Sequence, residues 1–393
     1  MKKKLALLLS LGLCVSTMTV TASAEEEKTY KIGVCQLMEH DALDAAYNGF
    51  VEGLKEAGYE EGKNLEIDMN NAQGDQSNCA TIASKLKNDG CDLVFAIATP
   101  AAQACANEIT DTPILISAVT DPAASGLVDS NEAPGANITG TSDLTPVASQ
   151  IEMIQKLVPD AKTVGVFYTS SETNSKLQAD MAIEAGEKLG YTMETYTVSQ
   201  SSEIQQVVES MVGKIDALYI PTDNLLASNM PTVSMVANQA KIPTICGESG
   251  MVENGGLITN GINYFDLGVL TGKQAAEILE GADPATMPIE YCPEDSYTYT
   301  VNEDTAAEIG IEIPEEFLQS SEEAETEAST ETAEETETET ASAAEYKLKI
   351  PFGGLHERII SHVQCHCPGN ALGNACTGRL YYISSSGLCG SDL

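Results

Sequence analysis

Short apolar runs alternate along this chain with longer stretches whose apolar positions recur every three or four residues. The first run, Tyr30–Gln36, predicts a strand. The next stretch, Asp41–Gly58, carries Ala42, Ala45, Ala46, Phe50, Val51 and Leu54 near one face and predicts an amphipathic helix ended by Gly58. The rhythm continues as strand Leu65–Asn70, helix Gln76–Asn88, strand Leu93–Ala98, helix Ala101–Ile109 and strand Ile114–Val119. Strands and helices alternating through short connections predict a parallel sheet covered on both faces.

The pattern then starts again. A hinge strand is expected near Thr141–Thr145, followed by helix Pro146–Leu157, strand Thr163–Tyr168, helix Asn174–Leu189 and strand Met193–Val198. Helix Glu203–Met211, strand Ala217–Ile220, helix Leu225–Gln239 and strand Thr244–Cys246 complete the second series. Gly255–Asn260 is expected to run back as a second hinge. Helix Phe265–Glu280 would pack on the first half, and strand Tyr297–Val301 with helix Glu303–Ile309 would end the body.

The halves share landmarks: Ala57-Gly58-Tyr59 matches Leu189-Gly190-Tyr191, and the strand-to-helix passage Phe95–Ala102 matches Leu218–Asn224. The fold class expected is α/β, with two similar doubly wound parallel-sheet lobes joined by a hinge. Lobe I takes 25–143 with about 262–290, and lobe II takes 144–261 with about 291–314. Open parallel sheets bind ligands beyond the carboxyl ends of their strands. Two such lobes facing each other would make a cleft.

What flanks the body differs in kind. Met1-Lys2-Lys3-Lys4, an apolar run from Leu5 to Val15, and Ala22-Ser23-Ala24 form the three regions of a secretory signal over 1–24. The chain is therefore expected outside the cytoplasm. Cys14 follows Leu11-Gly12-Leu13, whose large last residue departs from a lipid-attachment box, so cleavage after Ala24 is expected rather than a lipid anchor. Residues 315–345 are Glu, Thr, Ser and Ala with almost nothing to bury, and are expected to be a disordered acidic linker. The tail 346–393 crowds together His362, Cys365, His366, Cys367, Cys376 and Cys389 without a regular Cys-x-x-Cys pair. It reads as a segment foreign to the body, and no function is assigned to it.

Charge and composition narrow the function. A formal net charge of −39 opposes binding to nucleic acid through bulk electrostatics. The first arginine is Arg358, so an anionic group bound by the body must be held by lysine, hydroxyls or backbone N–H groups at helix starts. His40 is the one histidine of the body, and neither a Gly-x-Ser-x-Gly elbow nor a phosphate loop with lysine occurs, which opposes an enzyme. No cofactor and no metal are expected. Cys35, Cys91 and Cys246 sit in or beside apolar strands as buried thiols; a Cys79–Cys91 bridge is possible in an exported protein, but spacing does not show it.

The ordered set Lys31-Ile32-Gly33-Val34, Thr99-Pro100-Ala101-Ala102-Gln103, Val119-Thr120-Asp121-Pro122, Asn137–Asp143, Pro221-Thr222-Asp223-Asn224 and Leu267-Gly268 followed by Ala275-Ala276 resembles a family. It is similar to the solute-binding proteins of ABC transporters, in the tryptophan/tyrosine-binding-like group with a type I periplasmic-binding fold, over about Tyr30 to Pro314. The resemblance implies a monomer that captures a small solute between its lobes and delivers it to a membrane permease. For an amino acid, Thr99 with the N–H groups after Pro100, including that of Ala101, offers a helix start to a carboxylate; Thr99 can equally be a cap. Ala118 and Thr120 could add a backbone donor and a hydroxyl.

Asp143, Asp223 and Glu248 are candidates for the ammonium, with Asp121 orienting its loop and Asp223 equally an N-cap. Thr141 and Asp143 fall in the expected hinge. Glu172 and Asn174, in a polar loop of the second lobe, and Thr222 could close on the ligand, while Tyr168, Tyr264 and the Met38–Asp41 loop could face an aromatic side chain. A nucleoside or sugar ligand and a sensor role remain open alternatives, because the same fold serves them.

Overall fold

The computed structural model describes residues 28–318 and the backbone of two short strands, Tyr381–Ser384 and Gly387–Gly390, which pair antiparallel. The signal segment with Cys14, the acidic tract past residue 318 and the rest of the tail lie outside the described residues.

The first lobe is built from β1 (Tyr30–Gln36), α1 (Asp41–Glu56), β2 (Leu65–Asn71), α2 (Gln76–Asn88), β3 (Leu93–Ile97), α3 (Thr99–Glu108), β4 (Ile114–Val119) and β5 (Ile138–Ser142). The second continues with α4 (Val147–Leu157), β6 (Thr163–Thr169), α5 (Thr173–Lys188), β7 (Thr192–Val198), α6 (Ile204–Met211), β8 (Ala217–Ile220), α7 (Asn224–Ser228), α8 (Met230–Gln239), β9 (Thr244–Cys246), α9 (Ser249–Glu253) and β10 (Ile258–Gly261). The chain then returns through α10 (Tyr264–Leu279) and β11 (Glu290–Tyr291) before β12 (Thr298–Val301) and α11 (Glu303–Ile309).

Two six-stranded sheets result, ordered β11-β5-β4-β3-β1-β2 and β12-β10-β9-β8-β6-β7. Only β12 runs antiparallel, with Thr259 opposite Thr300 and Gly261 opposite Thr298. In each sheet the strand order turns back at the first strand of its lobe, β1 or β6, so the switch points lie between β1 and β3 and between β6 and β8. These are the places where doubly wound sheets open a crevice at the carboxyl ends of their strands.

Three details depart from the sequence pattern. The expected helix Leu225–Gln239 is two helices parted at Asn229, because Pro231 has no N–H and its ring would clash with the carbonyl of Ala227 in an unbroken helix. Asn229 Nδ2 bonds the Leu225 carbonyl at 2.8 Å and closes the first piece. The expected hinge segment Gly255–Asn260 instead enters the second sheet as β10, and the chain crosses only after Gly261. Finally, Phe317 is 1% exposed and packs on Tyr299, 4.8 Å between ring centroids, so the ordered lobe runs past residue 315 into the acidic tract.

Helix α10, although it follows the second lobe in sequence, packs against α1 in the first through glycines. Gly49 and Gly53 on α1 and Gly268 and Gly272 on α10 are each one helical turn apart, and a Cβ on any of them would run into backbone of the partner helix. Phe50 beside them stacks on Phe95 of β3 with 3.9 Å between centroids. The six described cysteines are all free and buried, and Cys79 and Cys91 are not bridged.

Candidate functional site

The first strand-to-helix passage has an unusual backbone. Ala98, between β3 and α3, has φ of 81°, and Ala118, one strand over at the end of β4, has φ of 54°. Non-glycine residues rarely adopt positive φ, and the strain of order 1–3 kcal/mol concentrates at ligand sites. Thr99 follows Ala98 at the start of α3, where the first N–H groups have no partner within the helix. It is 1% exposed, and its hydroxyl has no hydrogen-bond partner among the described residues.

The lobes meet around a small void of ≈ 10 Å³. Lobe I contributes His40, Ala42 and Leu43 from the start of α1, Ala118, and Asp143 in the crossing after β5; Tyr264 starts α10 at the return crossing. Lobe II contributes Asn174, Thr222, Asp223, Asn224, Ala227 and Glu248. A void of this size holds about one water, so anything larger enters when the lobes separate. Three cross-lobe contacts hold them together: His40 Nε2 to Asn224 Oδ1 at 3.2 Å, Asn254 Nδ2 to Asp41 Oδ2 at 2.7 Å, and Gln178 Nε2 to Thr120 Oγ1 at 3.0 Å. Gln178 also donates to the Thr222 hydroxyl. A larger recess of ≈ 310 Å³ opens on the hinge flank between α1, α9 and the β10–β12 pair, outside the point where the carboxylates converge.

Three buried carboxyls, Asp143, Asp223 and Glu248, line the void, Glu172 stands behind Asn224, and neutral donors hold each of the four. Asp223 accepts from Thr169 N at 2.6 Å, Thr169 Oγ1 at 2.8 Å and Leu226 N at 2.9 Å, and so caps α7. Glu248 caps α9 through Gly250 N at 2.6 Å and Met251 N at 2.9 Å. Glu172 takes Asn224 Nδ2 at 2.6 Å and the N–H groups of Asn224 and Leu225, both at 3.2 Å. Asp143 is different. Its Oδ2 accepts from the Tyr264 hydroxyl at 2.8 Å, tying the two crossings together, while Oδ1 is buried with no hydrogen-bond partner among the described residues.

Burial pushes Asp143 up to about 6 and Glu248 up to about 7. It raises Glu172 as well, helped by the neighbouring Asp223 charge, and raises Asp223. His40 moves the other way, down to about 4, because burial disfavours its cation more than the Asn224 bond favours it. A carboxyl with a raised folded pKa binds more protons folded than unfolded, so stability falls as pH climbs between the two values. Between pH 4 and 7 the four carboxyls outweigh the opposite slope of His40. The melting midpoint of the unliganded protein is therefore expected to drop by roughly 5 °C or more from pH 5 to pH 7.5. A flat or rising midpoint in a pH series of thermal melts would contradict the buried acidic cluster.

Of the residues singled out in the sequence, Ala118, Asp143, Asn174, Thr222, Asp223 and Glu248 converge on the void. Thr120 and Glu172 stand one hydrogen bond behind it, through Gln178 and Asn224. Thr99 and Ala101 are buried at the start of α3 but do not line it. Asp121 orients its own loop, accepting from Ala124 N at 3.0 Å and Asn131 Nδ2 at 3.1 Å. Thr141 is not at the void; it sits in a hydroxyl network with Ser117 at 3.0 Å and Thr271 at 2.8 Å.

Tyr168 does not face the void either: strand alternation puts it on the same side of β6 as Val164 and Val166, packed on the second lobe's core. Asn224 and Gln178 were not assigned from sequence, and His40 entered as a ligand candidate only as part of the Met38–Asp41 loop. The only sequence signal for His40 and Asn224 is their place, each just beyond a strand at a switch point.

Two doubly wound lobes, crossed twice at a hinge and closing on a polar cavity, define a type I periplasmic-binding protein. The family model for "ABC transporter substrate binding protein" matches residues 31–325, and the chain belongs to that family. It is a family of solute-binding proteins, not enzymes, which work outside the cytoplasm with an ABC permease. The chain is 44% identical over 316 residues to a tyrosine-binding protein of Clostridioides difficile, covering 77% of this chain and 91% of the relative.

Among solved structures, an ABC domain from Streptococcus pneumoniae in complex with L-Trp matches at 42% identity and TM-score 0.72, covering 75% of this chain and 98% of that one. A ligand-free, open substrate binding protein with adhesive properties from Clostridium difficile matches at 47% identity but TM-score 0.58, covering 73% and 97%. The more identical sequence superposes less well. That neighbour is open, whereas the lobes here meet around the void.

Proposed function

We propose that the protein captures a free amino acid, one with an aromatic side chain, between its lobes on the outer face of the cytoplasmic membrane and passes it to an ABC permease for import. The observation that carries the ligand class is the acidic cleft without a cationic side chain. Asp143, Asp223 and Glu248 line one void, Glu172 is buried one hydrogen bond behind it, and the hydrogen bonds to all four come from neutral donors. Such a cluster is costly by itself and favours a cation that arrives from outside.

Asp143 is the group with an oxygen to spare, and it receives the ammonium. The other three anchor α7 and α9 and add to the negative field. Thr99, with a free hydroxyl at the start of α3, and the N–H of Ala101 hold the ligand carboxylate in place of the missing arginine. Asn174 and Thr222 come from the second lobe, so contacts on both sides favour closure. The tyrosine-binding relative and the L-Trp-bound neighbour support an aromatic side chain.

A thermal-shift screen of the protein with the twenty amino acids, nucleosides and sugars tests this. A ligand at 100 times its Kd adds about 2.7 kcal/mol, a shift of several degrees. Shifts with tyrosine, tryptophan or phenylalanine are expected; shifts with nucleosides or sugars alone would overturn the reading. Thr99→Val is expected to weaken amino-acid binding by roughly tenfold while the circular dichroism spectrum stays unchanged. Equal affinity in that variant would remove Thr99 from the site.

A further inference from the structure

A three-residue relay crosses the cleft from Glu172 through Asn224 to His40. Both Glu172 oxygens accept backbone N–H groups at the start of α7, and Oε2 also accepts from Asn224 Nδ2 at 2.6 Å. That bond fixes which way the Asn224 amide faces, so its Oδ1 is the atom presented to His40 Nε2 at 3.2 Å. Oδ1 can only accept. Nε2 must therefore carry the imidazole hydrogen, which leaves Nδ1 as a bare acceptor. Nδ1 is buried and has no hydrogen-bond partner among the described residues. With its pKa lowered to about 4, the ring stays neutral at neutral pH and Nδ1 keeps its lone pair.

The void that His40 lines has both polar and apolar walls. Leu43 lies one helical turn beyond His40, and Ala227 one turn beyond Asn224; both line the same void, together with Ala42. His40 and Asn224 are 184 residues apart and belong to different lobes, so the relay is complete only when the lobes are together. A fixed, buried acceptor at a void that also carries Ala42, Leu43 and Ala227 suits a ligand side chain that is flat and carries one N–H or O–H.

We infer that His40 Nδ1 reads a hydrogen-bond donor on the ligand's side chain and so selects a phenol or indole ring over a plain phenyl ring. The inference rests on the amino-acid reading above and adds its specificity. A phenyl ring would leave the buried acceptor unmet, and an unmet polar group is how a binding site rejects an analogue that lacks the matching donor.

The test compares L-tyrosine with L-phenylalanine by calorimetry on the wild type, His40→Phe and His40→Asn. The wild type is expected to bind tyrosine roughly tenfold or more tighter than phenylalanine. His40→Phe keeps a ring but has no acceptor and should bring the ratio close to one. His40→Asn places an amide oxygen near the Nδ1 position and should restore the preference. A wild type that binds both equally, or a His40→Phe variant that keeps the preference or loses both ligands in parallel, would overturn the assignment.

Nitrogen-15 NMR of the wild type checks the contact without any substitution. The His40 Nδ1 resonance should move upfield with tyrosine and hold still with phenylalanine; identical responses would sink the idea. Binding of neither amino acid, nor of tryptophan, would fail the amino-acid reading itself, an outcome distinct from binding without discrimination.

Discussion

Asp143→Asn is expected to lower affinity for an aromatic amino acid by a hundredfold or more, measured by calorimetry at pH 7.5. The carboxyl is buried, and one oxygen is taken by Tyr264 at 2.8 Å while the other has no partner among the described residues. An ammonium brought to that oxygen loses its water and must recover the cost from the carboxylate. Removing one member of a buried charge pair costs about 3–5 kcal/mol, which is two to four powers of ten in affinity.

Asparagine keeps the shape and can still accept from Tyr264, so the hinge bond survives and the fold should not suffer. Stability of the unliganded variant should in fact rise at neutral pH, because a carboxyl pushed up to about 6 is a cost once it ionises. Affinity within threefold of wild type would show that the ammonium goes elsewhere. Loss of affinity together with a lower melting midpoint would assign Asp143 to the hinge instead.

Gly268→Val is expected to lower the melting midpoint by roughly 10 °C, an estimate from overpacking costs of about 3 kcal/mol in a protein of this size. A Cβ at Gly268 would fall onto the Ala46 carbonyl oxygen, and one at Gly272 onto the Phe50 carbonyl. These are backbone atoms, which cannot turn aside as a side chain can. The reciprocal Gly53→Val change meets Val269 and should cost a similar amount.

The consequence reaches the cleft. Helix α1 carries His40, Ala42 and Leu43 at its start, and α10 carries Tyr264, so spreading the two helices pulls Tyr264 and His40, which both line the void, apart from each other. Weaker binding should accompany the lower midpoint. An unchanged midpoint in thermal melts would mean that the helices do not meet backbone to backbone.

The alternation of elements, the two-lobe plan and most boundaries could be read from the order of apolar and polar residues. Periodicity is a local property, and β1 or α2 carries its own pattern without reference to the rest of the chain. The strand ends that face the cleft could be read too, because a parallel sheet exposes its carboxyl edges wherever it occurs. That placed Ala118, Asp143, Thr222 and Glu248 at strand ends, and in the structure they line the void between the lobes. The break at Asn229 was also available in principle, since Pro231 forbids an unbroken helix.

Which groups meet was not legible. Asp143 and Tyr264 are 121 residues apart and His40 and Asn224 are 184 apart, and no local pattern relates such positions. Thr141 shows the same gap from the other side: its place at a strand end suited a ligand contact, yet Thr271 of α10, 130 residues on, takes its hydroxyl into a structural network. Tyr168 is half-buried against the second lobe's core because β6 is covered on both faces, Val164 and Val166 packing in one core cluster and Phe167 in another, and only the tertiary packing shows this.

The residue order thus specifies secondary structure, lobe plan and the acidic, arginine-free character of the body, since each depends on neighbours along the chain. The free oxygen of Asp143, the bare Nδ1 of His40 and the glycine seam of α1 and α10 arise from closing one lobe on the other. Burial and the exclusion of water turn those groups into a site, and both come only from contacts between distant segments.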